Sequence, residues 1–121
     1  MILDDIRAAL EGVDDVVLYG TASTLPKDAP WNYTVFGRRK TRVNDNLAST
    51  AQEFDVAVVR EGYVPEGLED AVVAAMRTIP GMNPVKGQSV QYMYDRKPGT
   101  NLVVEMMVIT FARPRKPEGW R

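Results

Sequence analysis

Neither cysteine nor histidine occurs anywhere in the 121 residues. The first absence excludes disulfides, thiolate nucleophiles and cysteine metal sites. The second removes the commonest general base and the commonest metal ligand. There is no run of about 18 apolar residues, so no helical membrane span is expected. The opening MILDDIRAAL is acidic and amphipathic, without the positive start and apolar block of a signal peptide. Gly12, Gly20, Gly37, Gly62 and Gly67 stand singly, giving neither a GxGxxG fingerprint nor a phosphate loop. No stretch has the dense acidic spacing of a calcium loop, and Ser23, Ser49 and Ser89 lack a nucleophile signature. An enzyme is therefore the weakest reading, and no cofactor or metal is expected.

What is present describes one globular domain. The length suits a single modest core, and a 45% hydrophobic, 26% charged composition is that of a folded chain. Ile2, Leu3, Ile6, Ala9 and Leu10 recur at helical spacing, with Asp4 and Asp5 in the first turn, so residues 2–11 predict a helix packed on the domain's own sheet. DVVLYG reads as a strand, and TASTLPKDAP as a proline-bounded loop. WNYTVFG alternates as a strand does, with Trp31, Tyr33 and Val35 on the face most readily explained as core. QEFDVAVVREG alternates too, with Phe54, Val56 and Val58 on one face and Glu53, Asp55 and Ala57 on the other.

A second helix begins at Pro65 or Glu66, carries Leu68, Val72, Ala75, Met76 and Ile79 as its apolar stripe, and stops at Pro80-Gly81. Two strands follow, 88–95 and 101–113, joined by a turn at Pro98-Gly99. The last is apolar on both faces: Leu102, Val104, Met106 and Val108 on one, Val103, Met107, Ile109 and Phe111 on the other, interrupted by Glu105. An antiparallel strand with helices on one side should show a polar face. Either a neighbouring subunit or a loop or helix of the same chain must then cover the second one.

The order α-β-β-β-α-β-β predicts a single α+β domain over residues 1–112, a mainly antiparallel sheet with helices packed on a face. Residues 37–50 form a β-arm or long loop between two strands. Residues 113–121, RPRKPEGWR, form an extended tail because the spaced prolines oppose a regular element.

Charge is near balance overall, at 15 cations and 16 acids, but its layout is uneven. FGRRKTRVND concentrates Arg38, Arg39, Lys40 and Arg42, and with the C-terminal nine residues holds eight cations. Residues 43–70 hold seven acids and only Arg60 as a cation. Segregated charge of both signs suits protein contacts, whereas a nucleic-acid partner usually goes with a basic balance overall. Phosphate contact by the basic cluster and a merely solvated loop stay open as readings. Glu53 and Asp55, about 7 Å apart on one strand face, are spaced as a glycosidase acid–base pair could be. A solvated sheet face accounts for them more simply.

In the succession MILDDIRAAL, DVVLYG, proline-bounded loop, WNYTVFG, long arm, QEFDVAVVRE, EGLEDAVVAAMRTI and final hairpin, the chain resembles the tail terminator, or tail-completion, proteins of long-tailed bacteriophages. It shares much of this with head–tail connector and minor capsid proteins. The resemblance implies a structural, typically hexameric ring that caps the tail tube and offers the surface to which the filled head docks. Its partners would be its own copies, the tail tube protein and a head-completion or connector protein. It would sit at the head-proximal end of the virion tail after assembly in the host cytoplasm. In such a ring the basic arm, Arg38, Arg39, Lys40 and Arg42, would face acids of the next subunit, with Glu53, Asp55 and Glu61 as receivers. The alternatives are another connector or minor capsid protein, or a small nucleic-acid-binding adaptor using the arm.

Overall fold

The computed structural model describes residues 1–22, 25, 29–43, 50–87 and 90–115, with the side chains of 40–43, 50 and 115 outside that description. Two helices, α1 (Ile2–Glu11) and α2 (Leu68–Met76), pack on one face of a sheet. Its strands are β1 (Val17–Tyr19), β2 (Tyr33–Val43), β3 (Thr50–Glu61), β4 (Asn83–Pro84), β5 (Gln91–Arg96) and β6 (Val103–Arg115). Among the described residues the order is β1-β2-β3-β6-β4, with β5 beside β4 along the same edge of β6. Every pairing is antiparallel except β1 with β2. The α+β class with a mainly antiparallel sheet is therefore the fold.

The main core lies between the sheet and the helices. Phe54, Val56 and Val58 of β3, Met107, Ile109 and Phe111 of β6 and Phe36 of β2 meet Ile6 and Leu10 of α1 and Val72 and Met76 of α2. Phe54 and Phe111 are cross-strand partners and fully buried. The period-2 pattern of β3 thus reads out directly as an inside and an outside. Trp31, Tyr33 and Val35 do share a face, but the helix side takes Phe36 instead. Tyr33 joins Val59 and Val104 in a smaller cluster on the opposite face, with Trp31, Leu25, Ala22 and Leu18 packed against it.

Several bounds differ from expectation: β5 runs Gln91–Arg96 against 88–95, and β6 starts at Val103 against 101. The second helix starts at Leu68, not Pro65 or Glu66, because Gly67 at its N-cap has φ of 90°, a left-handed backbone that cannot continue a helix. Its last helical residue is Met76, leaving Arg77 as C-cap and Ile79 buried just beyond it. β4 is an extra two-residue strand, pairing Asn83 with Ala112 and Pro84 with Phe111; Pro84 carried no strand signal because proline cannot donate to a ladder. β6 runs through Arg115, so Arg113, Pro114 and Arg115 are not tail but strand, paired with Gln52, Ala51 and Thr50. Pro114 is tolerated there because β4 reaches only Ala112 on the other side. The rest of the expected tail, 116–121, and the arm tip, 44–49, lie outside the described residues.

Candidate functional site

The basic cluster lies in a strand. Arg38, Arg39, Lys40 and Arg42 all belong to β2, which pairs with β3 as a long hairpin from Val43↔Thr50 inward. The register slips between Arg38 and Lys40, so β2 gains one residue over β3 at that point. Such a bulge bends its strand and re-aims side chains. Here it accompanies a contact inside the chain: Arg39 Nη1 donates to Glu53 Oε1 at 2.8 Å. The Glu53 side chain is only 1% exposed, while Arg39 is 38% exposed. The arm therefore does meet an acid, but one on its own chain. Arg38 stays exposed, its Nε donating a long 3.4 Å bond to the Tyr19 hydroxyl. The side chains of Lys40 and Arg42 lie outside the described residues.

The other two acids expected at an interface are also engaged. Asp55 Oδ1 accepts the Thr110 hydroxyl at 2.6 Å across the β3–β6 pair. Glu61 Oε2 accepts the Trp31 amide at 3.0 Å and Lys97 Nζ at 3.2 Å. The Trp31 amide, seconded by Lys97, holds the Glu61 carboxyl below its ordinary range despite the opposing effect of burial. Glu53, buried against Arg39, cannot join Asp55 as an open carboxylate pair for sugar chemistry. Among the described residues no group of three or more acids could hold a metal ion. No described helix is long and apolar enough to cross a membrane.

The sheet face away from the helices is covered at one end only. Ala22, Leu25 and Trp31 lie over Tyr33, Val59 and Val104; the Trp31 amide donates to Glu61, and Asn32 Oδ1 accepts the Glu61 amide at 3.0 Å. Beyond them the face is a shallow concavity of about 610 Å³. Val35, Ala57, Met93, Met106 and Val108 form its apolar floor, Gly37 adds no side chain, and Arg38, Arg39 and Asp55 supply charge. The doubly apolar last strand is thus half explained by its own chain: a loop covers Val104, and nothing among the described residues covers Met106 and Val108 fully.

Three further features had no readable sequence signal. Asp14 Oδ2 accepts both the Thr34 hydroxyl at 2.7 Å and Arg60 Nη2 at 2.9 Å, tying the α1–β1 link to β2 and β3. Glu105, which breaks the apolar run of β6, accepts the Val64 amide at 2.7 Å and so anchors the approach to α2. All six residues of β5 are exposed, including Tyr92, Met93 and Tyr94. Each feature pairs residues from distant parts of the chain or depends on the lack of a covering element.

Phe36, two residues before the first arginine of the basic cluster, is 1% exposed and cannot stack on a nucleobase. Arg7 lies over its ring at 5.5 Å and Tyr19 meets it edge-on, so its surfaces are already used. No protein-family model matches the chain, and no curated protein matches it.

Proposed function

We propose that this chain is a structural subunit of the tail-terminator kind, which associates with copies of itself into a ring capping a phage tail tube and joining it to the head. The observation that carries this reading is the open half of the sheet face. A concavity of mixed character, with Val35, Ala57, Met106 and Val108 half-buried in its floor and Arg38, Arg39 and Asp55 at its margin, is a surface suited to a protein partner. The burial of Glu53 and the engagement of Asp55 and Glu61 fit a scaffold better than a reaction centre. Head–tail connectors and minor capsid proteins, which share much of the element order, are the neighbouring assignments.

Light scattering combined with negative-stain imaging tests it, on the purified chain and with tail tube added. Rings in either condition are expected. A strict monomer at high concentration that forms no ring on tail tube overturns the proposal. The nucleic-acid reading predicts instead a steeply salt-dependent affinity for DNA or RNA oligomers, abolished by reversing Arg38 and Arg42.

A further inference from the structure

β5 is an edge strand, and its backbone geometry shows which groups lie unpaired. Lys97 N–H donates to Leu102 O at 2.9 Å where the β5–β6 hairpin closes. Counting back by twos, Asp95, Met93 and Gln91 face β6, so Tyr92 and Tyr94 turn their N–H and C=O groups outward, while the outward Arg96 N–H donates to Asp95 Oδ1 at 2.7 Å. No strand among the described residues pairs on that side. Folded proteins usually blunt such an edge with lysine, proline or a covering element. β5 instead presents Tyr92, Met93 and Tyr94, 45%, 44% and 66% exposed, and has neither lysine nor proline within it.

The opposite margin of the sheet is open as well. β1 stops at Tyr19, paired with Phe36, and the Gly20 amide closes on Phe36 O at 2.9 Å. From Gly37 to Val43 no described strand lies outside β2. The β2 edge is basic, whereas β5 balances Asp95 with Arg96 and has the acidic start of α2 beside Tyr92. The β2 edge holds Arg38, Arg39, Lys40 and Arg42. β5 contains Asp95 and lies beside the start of α2, to which Tyr92 is tied by a 3.1 Å bond to Glu69; Glu66 and Asp70 flank that position.

From these observations we infer that β5 of one copy receives the β2 arm of a second copy as an added strand, so that the sheet continues from subunit to subunit. This rests on the self-association proposed above and names its surface. Direction agrees: β2, β3, β6 and β5 reverse at each step, so in copies of like orientation the junction is antiparallel, the stronger ladder. Main-chain bonds supply the affinity, and the basic arm against Glu66, Glu69 and Asp70 at the start of α2 sets the pairing. β5 lies level with the Tyr33 end of β2 and the arm at the other end, so neighbouring copies are displaced along the strands by roughly 20 Å. A closed ring then has its strands inclined to the axis, as strand tilt and stagger are linked in closed sheets. The contact joins unlike patches and is heterologous.

Tyr94→Pro deletes one outward N–H while sparing the ladder to β6, a substitution that edge strands accept. Tyr94→Ala removes the same side chain and keeps the N–H. Assembly followed by light scattering should persist in Y94A and fall at least about tenfold in Y94P. R38E should assemble poorly, and mixing it with Y94P should yield a 1:1 complex, because each variant keeps the edge that the other has lost. That complex also demonstrates that Y94P is folded; should Y94P not fold, Tyr92→Pro, at the next outward position, replaces it. Ring formation by Y94P equal to wild type overturns the edge pairing and leaves the ring intact. So does failure of the two monomeric variants to combine. A wild-type chain that stays monomeric even on tail tube overturns the ring, and this inference with it.

Discussion

Arg39 and Glu53 pair at 2.8 Å within one chain, at the point where β2 carries one residue more than β3. The bond partners a carboxylate that is almost wholly buried. Arg39→Ala should cost about 1–3 kcal/mol, toward the lower figure because the arginine is partly solvated. Replacing both residues by methionine should cost less than the sum of the single changes. Urea unfolding of the four proteins checks this.

The two sheet faces should respond unequally to truncation. Phe54→Ala removes a fully buried ring from the helix side and should destabilise by about 3–5 kcal/mol. Val108→Ala, on the half-open floor, should cost below about 1 kcal/mol in the monomer. Chemical denaturation gives both values. A large loss at Val108 in the isolated chain would mean that its own chain covers that face.

Much of this contrast was legible in the sequence because alternation is local. Phe54, Val56 and Val58 declare an inner face in five residues, and the spacing of Ile6 and Leu10 declares the stripe of α1. Tyr33 and Phe36 were harder, since both faces of β2 pack on something and the main core took the side with Phe36. The second apolar face of β6 was readable, but which part of it stays open was not. It depends on where Ala22, Leu25 and Trp31 come to lie over the sheet, and such loop packing leaves no periodic trace. The Arg39–Glu53 bond escaped for a related reason: the bulge that accompanies it follows from pairing two strands, and neither strand alone records it. Arg115 in β6 was missed because Pro114 reads as a break unless its neighbours in the sheet are known.

Acid should weaken the bond that ties Trp31 to Glu61. The Glu61 carboxyl is held below its ordinary value by the Trp31 amide and then Lys97, so the folded state binds that proton less readily than the unfolded chain. Its contribution is fully present above the ordinary glutamate value of about 4.5 and is lost as pH falls from there through the lower folded value. The difference in melting temperature between wild type and Glu61→Gln should be constant near neutrality. It should shrink as pH falls through that window.

At the alkaline end, Tyr33, Tyr92 and Tyr94 should resist ionisation. Burial raises the Tyr33 hydroxyl; burial and then the bond to Glu69 raise Tyr92; the bond to Glu105 and then burial raise Tyr94. Each folded value exceeds the unfolded one, so the stability linked to it holds below about pH 10 and is lost as pH climbs through the folded value. Phenolate absorbance should reveal a late-titrating component, diminished in Tyr94→Phe.

β6 is made after every other strand described, yet it partners β3, β4 and β5. During synthesis the β2–β3 hairpin can close early, since its halves are near in sequence. The far side of β3, with Phe54, Val56 and Val58, then waits while α2, β4 and β5 emerge. At about 5–20 residues per second that interval is several seconds. An apolar strand with an unpaired edge is at its most aggregation-prone during that delay. The yield of soluble protein should therefore depend more on how soon β6 arrives, or on a chaperone shielding β3 until it does, than on the stability of the finished fold.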